Sequence, residues 1–172
     1  MKRYNAPWCT GLIVVSTLFT VFMLGLSVSA WWYAFVKQPP IPLRWSALLP
    51  LVILFSGVLF TIRGYTITPD AILVHRLLWD TRLPRHGLES AILDPKALRW
   101  SLRTFGNGGV FSVSGFFWNK RLRSFRALLT DPKRAVILRY ANRRVVLSPD
   151  APEEFIQDLS IAKPSRPNSP FS

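Results

Sequence analysis

The uncharged stretches at the start of the chain constrain its fold most. From Tyr4 to Val36 no side chain carries a charge, and a second uncharged run covers Trp45 to Ile62. The 172 residues contain no later set of amphipathic helices that would cover two segments apolar on every side. A wholly soluble fold with a single core is therefore excluded.

Both runs are long enough to cross a bilayer. As helices, residues 11–35 would be about 37 Å long and residues 45–62 about 27 Å long, against a hydrocarbon core of about 30 Å. We therefore predict a transmembrane helical hairpin over residues 11–62, preceded by an N-terminal tail over residues 1–10. Aromatic residues of the kind found at membrane interfaces lie near the ends of the runs: Tyr4, Trp8, Trp31, Trp32, Tyr33 and Trp45.

The connection between the two runs is rich in proline. Pro39, Pro40 and Pro42 lack amide donors and push the residues before them toward extended geometry. We therefore predict a short connection without helix over residues 37–44. Pro50, inside the second run, predicts a kink there.

A cleaved signal peptide is the alternative for the first run. Lys2 and Arg3 form a basic start, and the small residues 28–30 resemble a cleavage site. Against this alternative, the run continues through Trp31 to Tyr33 where a mature soluble chain would begin. A second apolar run also follows it.

Basic residues around the runs predict the orientation of the hairpin. Lys2 and Arg3 precede the first run, Arg63 and Arg76 follow the second, and the connection carries only two basic residues. Because basic residues favour the cytoplasmic side, both termini and the remaining chain are predicted to lie in the cytoplasm. The protein would then be a multi-pass protein of the inner membrane.

The chain beyond Arg63 predicts a mainly β domain over residues 64–162. Short alternating runs broken by Gly, Pro and Asp are typical of an antiparallel sheet. The predicted strands are 65–68, 71–77, 110–117, 121–129, 136–140 and 143–147. In the third of them Phe111, Val113 and Phe117 share one face, and Ser112 and Ser114 share the other, which predicts a half-buried strand.

One amphipathic helix follows the predicted strands. Pro152, Phe155, Ile156 and Leu159 have the i, i+3, i+4, i+7 spacing of an apolar stripe, which we expect to pack on the sheet. Residues 163–172 are rich in Pro and Ser without an apolar pattern, and we predict a disordered tail.

Few residues of the chain are suited to catalysis or metal binding. No serine has the Gly-x-Ser-x-Gly pattern, and only His75 and His86 could act as bases. With Asp80 between them and Cys9 as the sole cysteine, metal ligands are too few. The segment Gly106 to Gly109 lacks the Lys-Ser/Thr of a phosphate-binding loop and predicts a turn. No catalytic residue, cofactor or metal is therefore predicted.

Basic residues are the one chemical feature that stands out. The net charge is +13, and residues 70–172 hold 17 of the 22 basic side chains and all 9 acidic ones. Within that part Lys120, Arg121, Arg123 and Arg126 form what we call the basic cluster. It is either a solvated cytoplasmic face or a surface attracted to anionic lipid headgroups, at about 1 kcal/mol per basic side chain. Nucleic acid is disfavoured, because Phe125 is the only aromatic residue among these positions.

The order of these features resembles a known family. Two apolar runs are followed by Gly64 to Thr68 opening a sheet, Gly106 to Gly109 in its middle, and Ser148 to Ile156 opening the last helix. From about Gly64 to Leu159 the chain resembles the membrane-attached bacterial pleckstrin-homology-like proteins. The resemblance implies a bent antiparallel sheet of seven strands, forming a sandwich or partly open barrel capped by the C-terminal helix. It implies a binding and assembly module and no catalytic residue.

Two functional hypotheses follow. The first is a non-enzymatic, membrane-anchored module that binds a partner protein or its own copies. The second is a membrane-bound enzyme or regulator that acts on a lipid or small ligand through a pocket in the β domain. An acid and a histidine converging in a cleft would favour the second hypothesis.

Overall fold

The structure, a computed structural model, describes residues 2–38 and 40–161. The predicted tail over residues 163–172 lies outside them. The α-helices are α1 (Thr10–Lys37), α2 (Ile41–Trp45), α3 (Leu49–Leu59) and α4 (Pro152–Ile161). Two short 3-10 helices, Ser46–Leu48 and Pro132–Arg134, complete the helical elements of this part of the chain.

The strands of the described residues form two sheets, one of four strands and one of six. The first is antiparallel, in the order β1 (Lys2–Asn5), β2 (Gly64–Ile67), β3 (Ala71–His75), β4 (Asp80–Pro84). The second contains β5 (Leu88–Leu93), β6 (Leu102–Val110), β7 (Ser112–Asn119), β8 (Arg123–Leu129), β9 (Val136–Tyr140) and β10 (Arg144–Leu147). Its order is β5-β9-β10-β8-β7-β6.

The prediction of a mainly β domain with a C-terminal helix is confirmed, but its strand count and pairing differ from the expectation. Seven antiparallel strands were expected from about Gly64 to Leu159, whereas that region contains nine, and β1 adds a tenth among the described residues. In addition, β10 runs parallel to β8, with Val145 opposite Arg126. From β8 the chain crosses to β9, which lies on the far side of β10 in the sheet. The β9–β10 hairpin then places β10 between β9 and β8, where it runs parallel to β8.

The N-terminal residues belong to the folded domain rather than to a tail. In β1, Arg3 lies opposite Thr66 of β2, and Tyr4 is only 3% exposed. The Tyr4 ring lies 5.1 Å from the ring of Phe155 in α4, and Lys2 forms an ion pair with Asp158 at 3.1 Å. Burial and the hydrogen bond to Asp158 raise the pKa of Tyr4 to about 12. Both ends of the helical segment are thus attached to neighbouring strands of one sheet.

The helical segment differs from the prediction in its connection. Residues 37–44 were expected to lack helix, but α2 begins at Ile41. The expectation was wrong because Pro40 is the N-cap and a proline lies in the first turn, where a missing amide leaves no hydrogen bond unmade. A 3-10 turn, Ser46–Leu48, precedes α3, and Pro50 lies in the first turn of α3. The kink expected at Pro50 stays a prediction.

One helix of the described residues, α1, is long and apolar enough to cross a membrane. The stretch Ser46–Leu59 is a shorter apolar helix, and α3 packs along α1. Length and composition alone make this weak evidence for membrane attachment, because signal sequences and buried core helices share these features.

The β domain has two apolar cores, one on each face of the second sheet. The first core lies between the two sheets and α4, and its members include Tyr65, Ile72, Leu128, Leu138 and Phe155. The second contains Phe117, Leu122, Phe125, Leu129 and Ile137, with Ala97 and Leu98 of the segment before β6 packed against them. As predicted, Phe155 and Leu159 of α4 are buried and Ile156 is partly buried.

Candidate functional site

The helices join the β domain through a buried arginine at the end of β3. Arg76 is 6% exposed, and its guanidinium donates hydrogen bonds to the Phe60 carbonyl (3.0 Å), to Ser114 Oγ (2.8 Å) and to Thr81 Oγ1 (3.2 Å). Burial, and secondly the charge of Arg126, lower the pKa of Arg76. A cation is nevertheless favoured here, because Phe60 is the C-cap of α3, where helix carbonyls are left without amide partners.

Two serines of β7 complete this junction. Ser112 Oγ donates a hydrogen bond to the Phe60 carbonyl at 2.9 Å, and Ser114 accepts from Arg76. Both serines are buried, so the expectation of a half-buried strand with an open serine face is wrong at this end of β7. Ser112 and Arg76 are buried here because the helix end requires hydrogen-bond donors, and Ser114 is buried as an acceptor for Arg76.

The tip of the β6–β7 hairpin fits between α1 and α3. The tip is Phe111 and not the predicted turn at Gly106 to Gly109, which lies within β6. The Phe111 amide donates to Ser16 Oγ of α1 at 2.8 Å, and its ring lies 6.4 Å from that of Trp8. A Cβ atom added at Gly57 of α3 would lie 3.3 Å from the Phe111 ring. The hairpin and Arg76 therefore hold the domain against both helices.

The structure brings three members of the basic cluster together and separates the fourth. Lys120 and Arg121 lie in the turn between β7 and β8, and the exposed Arg123 opens β8. Arg126 is half-buried on β8, directly opposite Phe116. Arg121 is already paired with Asp94. The cluster is thus a charged turn with one outlying arginine.

Lys120 and Arg121 line a groove of about 710 Å³ at the end of the β6–β7 hairpin remote from the helices. We call it the basic–aromatic groove. Its other lining residues are Lys96, Arg99, Trp100, Leu102, Trp118 and Asn119. The lining contains four basic side chains, two indole rings and no acid. Sequence reasoning missed Lys96, Arg99 and both tryptophans, because the fold brings together segments about 20 residues apart without a spacing that signals it.

Hydrogen bonds fix the walls of this groove. Asn119 is 4% exposed, and its Nδ2 donates to the Ala97 carbonyl and to Ser101 Oγ, both at 2.9 Å. Its Oδ1 accepts from the Leu122 amide at 2.6 Å. The Asp94–Arg121 pair makes a second link between the segment before β6 and the β7–β8 turn. The groove is therefore built before any ligand arrives, which lowers the entropic cost of binding.

An acid and a histidine do meet in the first sheet. His75 Nδ1 lies 2.8 Å from Asp80 Oδ1, and its Nε2 lies 2.7 Å from Thr66 Oγ1. The three side chains alternate with the buried positions of their strands, so they lie on the face opposite the first core and not in the basic–aromatic groove. His75 thus has ordinary strand partners. No group of three or more His, Cys, Asp or Glu suited to a metal is present among the described residues.

Comparison with known proteins gives one match. A family model described as "Bacterial PH domain" matches residues 63–162. The matched region holds β2 to β10, α4 and the basic–aromatic groove, and begins where α3 has ended. No curated protein and no solved structure matched the chain.

Proposed function

Since this chain belongs to the bacterial PH-domain family, we propose that it is a non-enzymatic, membrane-anchored module that binds and assembles partners. The observation that carries the proposal is the attachment of both ends of the helical segment to one sheet. β1 precedes α1, β2 follows α3, and the two strands are paired. A segment tied down at both ends projects from the domain as a hairpin.

The surface of this hairpin suits lipid. The hairpin has two arms, α1 and the stretch from α2 to α3. Large apolar side chains on both arms are exposed in the isolated chain, among them Phe22, Phe35, Val52 and Phe55. In a bilayer such side chains are solvated by acyl chains, and the helical backbone satisfies its own polar groups. The second arm, Ile41 to Leu59, is about 28 Å long and matches a hydrocarbon core of about 30 Å. Two spans are therefore proposed.

The junction sets how the β domain of the proposed module is attached to the helices. Arg76 and Phe111 connect the sheets to the ends of both arms, so that the domain does not swing on a flexible linker. A domain held in this way stays beside the membrane and presents its surfaces there. That property suits a protein that positions other molecules, as expected for a binding and assembly module.

Labelling of single cysteines tests the proposed topology. In a Cys9→Ser background we expect an impermeant thiol reagent added to intact cells to label Gln38→Cys, between the arms, and not Asn168→Cys. Basic residues retained on the cytoplasmic side are the physical reason. Permeabilised cells, in which both cysteines should react, are the control. Label at Asn168→Cys alone in intact cells would contradict the orientation.

The basic cluster is proposed to draw the domain toward anionic lipid of the inner leaflet. The full chain is the right sample, because a fragment starting at Gly64 would lack β1. In lipid nanodiscs, a donor dye on Ser124→Cys should transfer more energy to headgroup acceptors when the lipid is anionic. The difference should shrink as salt rises from about 0.1 M to about 1 M, since the screening length falls from about 10 Å to about 3 Å.

The matched control replaces Lys120, Arg121, Arg123 and Arg126 by Ser, which should make transfer equal in neutral and anionic discs. Equal transfer in both discs for the unaltered cluster would show that it is a solvated face without lipid contact.

A further inference from the structure

The aromatic side chains that line the basic–aromatic groove are exposed to solvent, and nothing in the packing of the domain requires this exposure. Trp100 is 87% exposed and has a positive φ of 56°, which is uncommon for a residue with a side chain. Asn119 holds this conformation in place by bonding Ala97 and Ser101 on either side of it. Trp118 and Leu102, which face each other across β6 and β7, are also exposed. Exposed apolar groups held in a strained, fixed geometry mark interaction sites.

The basic side chains around these rings favour an occupant with negative charge. Lys96, Arg99 and Lys120 have no acidic partner among the described residues, whereas Arg121 is paired with Asp94. An occupant with carboxylates would meet three such cations at the rim of an apolar slot. Electrostatic complementarity of this kind speeds encounter and excludes basic competitors.

The backbone beside the groove favours an extended occupant. β6 is the end strand of the second sheet and pairs only with β7 among the described strands. A peptide added along β6 gains main-chain hydrogen bonds, and its alternate side chains point to one face. On that face lie Phe105 and Leu102 of β6, paired with Phe116 and Trp118 of β7.

The position of the groove argues for an occupant from solution. β7 leaves the helix junction at Ser112 and reaches the groove at Asn119, a path of about 23 Å at 3.3 Å per residue. The groove is thus at the end of the hairpin remote from the helices. A soluble segment reaches it without displacing the domain from its junction.

We propose that the basic–aromatic groove binds an extended acidic segment of a partner protein, which anchors an aromatic or aliphatic side chain between Trp100 and Trp118. This inference rests on the proposed function and names the partner chemistry of that module. Lys96, Arg99 and Lys120 receive the carboxylates, while the edge of β6 pairs with the backbone of the segment. Arg123 and Arg126 do not line the groove.

Selection from a random twelve-residue display library tests the proposal, with the full chain in neutral-lipid nanodiscs as bait. We expect the selected peptides to combine Asp or Glu with a bulky apolar residue. Their affinity should fall about tenfold or more in Trp118→Ser and in Lys120→Glu, since buried aromatic and charged anchors dominate such interfaces. Leu78→Ser and Arg123→Ser, which alter exposed positions outside the groove, should leave the affinity unchanged.

A charge exchange separates loss of contact from loss of folding. A peptide with its Glu replaced by Lys should regain affinity for Lys120→Glu, which a misfolded variant would not allow. Selected peptides without acidic residues, or ones that bind Trp118→Ser as tightly as the unaltered chain, would overturn the proposal. If Trp118→Ser abolished the difference in energy transfer between anionic and neutral discs and left the peptide affinity unchanged, lipid and not a peptide would occupy the groove, and the proposal would be overturned. If topology labelling succeeds while selection fails, the groove assignment alone is wrong.

Discussion

Replacing Phe155 by Ala is expected to destabilise the β domain by about 3–5 kcal/mol. The Phe155 side chain is fully buried, with its ring 5.1 Å from that of Tyr4 and 6.3 Å from that of Tyr65. Its removal leaves a cavity where α4, β1 and β2 meet. The loss is a large part of the stability of a typical domain, which is about 5–15 kcal/mol.

Proteolysis after brief exposure to urea measures this change on the full chain in detergent. The urea midpoint should fall by about 2 M, given a typical urea dependence of about 1–3 kcal/mol per M. Gln157→Ala, an exposed change in the same helix, is the control and should keep the midpoint. If Phe155→Ala and Gln157→Ala gave the same midpoint, α4 would not be packed on the sheets.

Replacing Arg76 by Met is expected to uncouple the helices from the domain and cost at least about 3 kcal/mol. Its guanidinium donates three hydrogen bonds, and hydrogen bonds to charged groups contribute about 1.5–3 kcal/mol each. Met keeps the apolar stem but no donor, so the Phe60 carbonyl retains only Ser112 Oγ as partner. The chain after α3 should become sensitive to protease at lower urea.

Arg82→Met is the matched control for Arg76→Met. Arg82 is an exposed arginine on the adjacent strand β4, opposite Leu73. Its replacement should change stability by no more than about 0.5 kcal/mol. Equal effects of the two substitutions would mean that the buried hydrogen bonds of Arg76 do not hold the junction.

Elements whose residues follow a local periodic pattern were predictable from the sequence. The stripe through Phe155 and Leu159 identified α4, and two short apolar runs around residues 141 and 142 identified the β9–β10 hairpin. Strand β1 was not predictable, because it has four residues and its partner β2 lies about 60 residues away in the chain. Pairing at that separation leaves no local pattern.

Burial of the polar side chains in β7 was not predictable from the sequence either. Alternation predicts which side chains share a face, and Ser112 and Ser114 do share one. It does not predict that the end of α3, more than 50 residues away, requires the Ser112 hydroxyl, or that Arg76 requires the Ser114 hydroxyl as an acceptor. The alternation of apolar residues therefore gave the wrong burial for these two serines, because polar contacts at the junction determine it.

The basic cluster shows how far adjacency in sequence predicts a site. Lys120 and Arg121 line the groove, but Arg126 does not, and its charge acts on Arg76 instead. Lys96 and Arg99, more than 20 residues earlier, replace it at the rim. Charge density predicted that this end of the domain is basic, whereas tertiary contacts decide which cations surround the two tryptophans.

A disulfide between β1 and β2 tests most directly whether the helical segment is a hairpin with both ends in one domain. Arg3 and Thr66 lie directly opposite in the two strands, where Cβ atoms are about 4.5–5.5 Å apart. In isolated membranes treated with an oxidant, Arg3→Cys with Thr66→Cys in a Cys9→Ser background should form an intramolecular crosslink. Arg3→Cys with Ser124→Cys, in the other sheet, should not. A crosslink in the first pair alone is predicted, and its absence there would contradict the account.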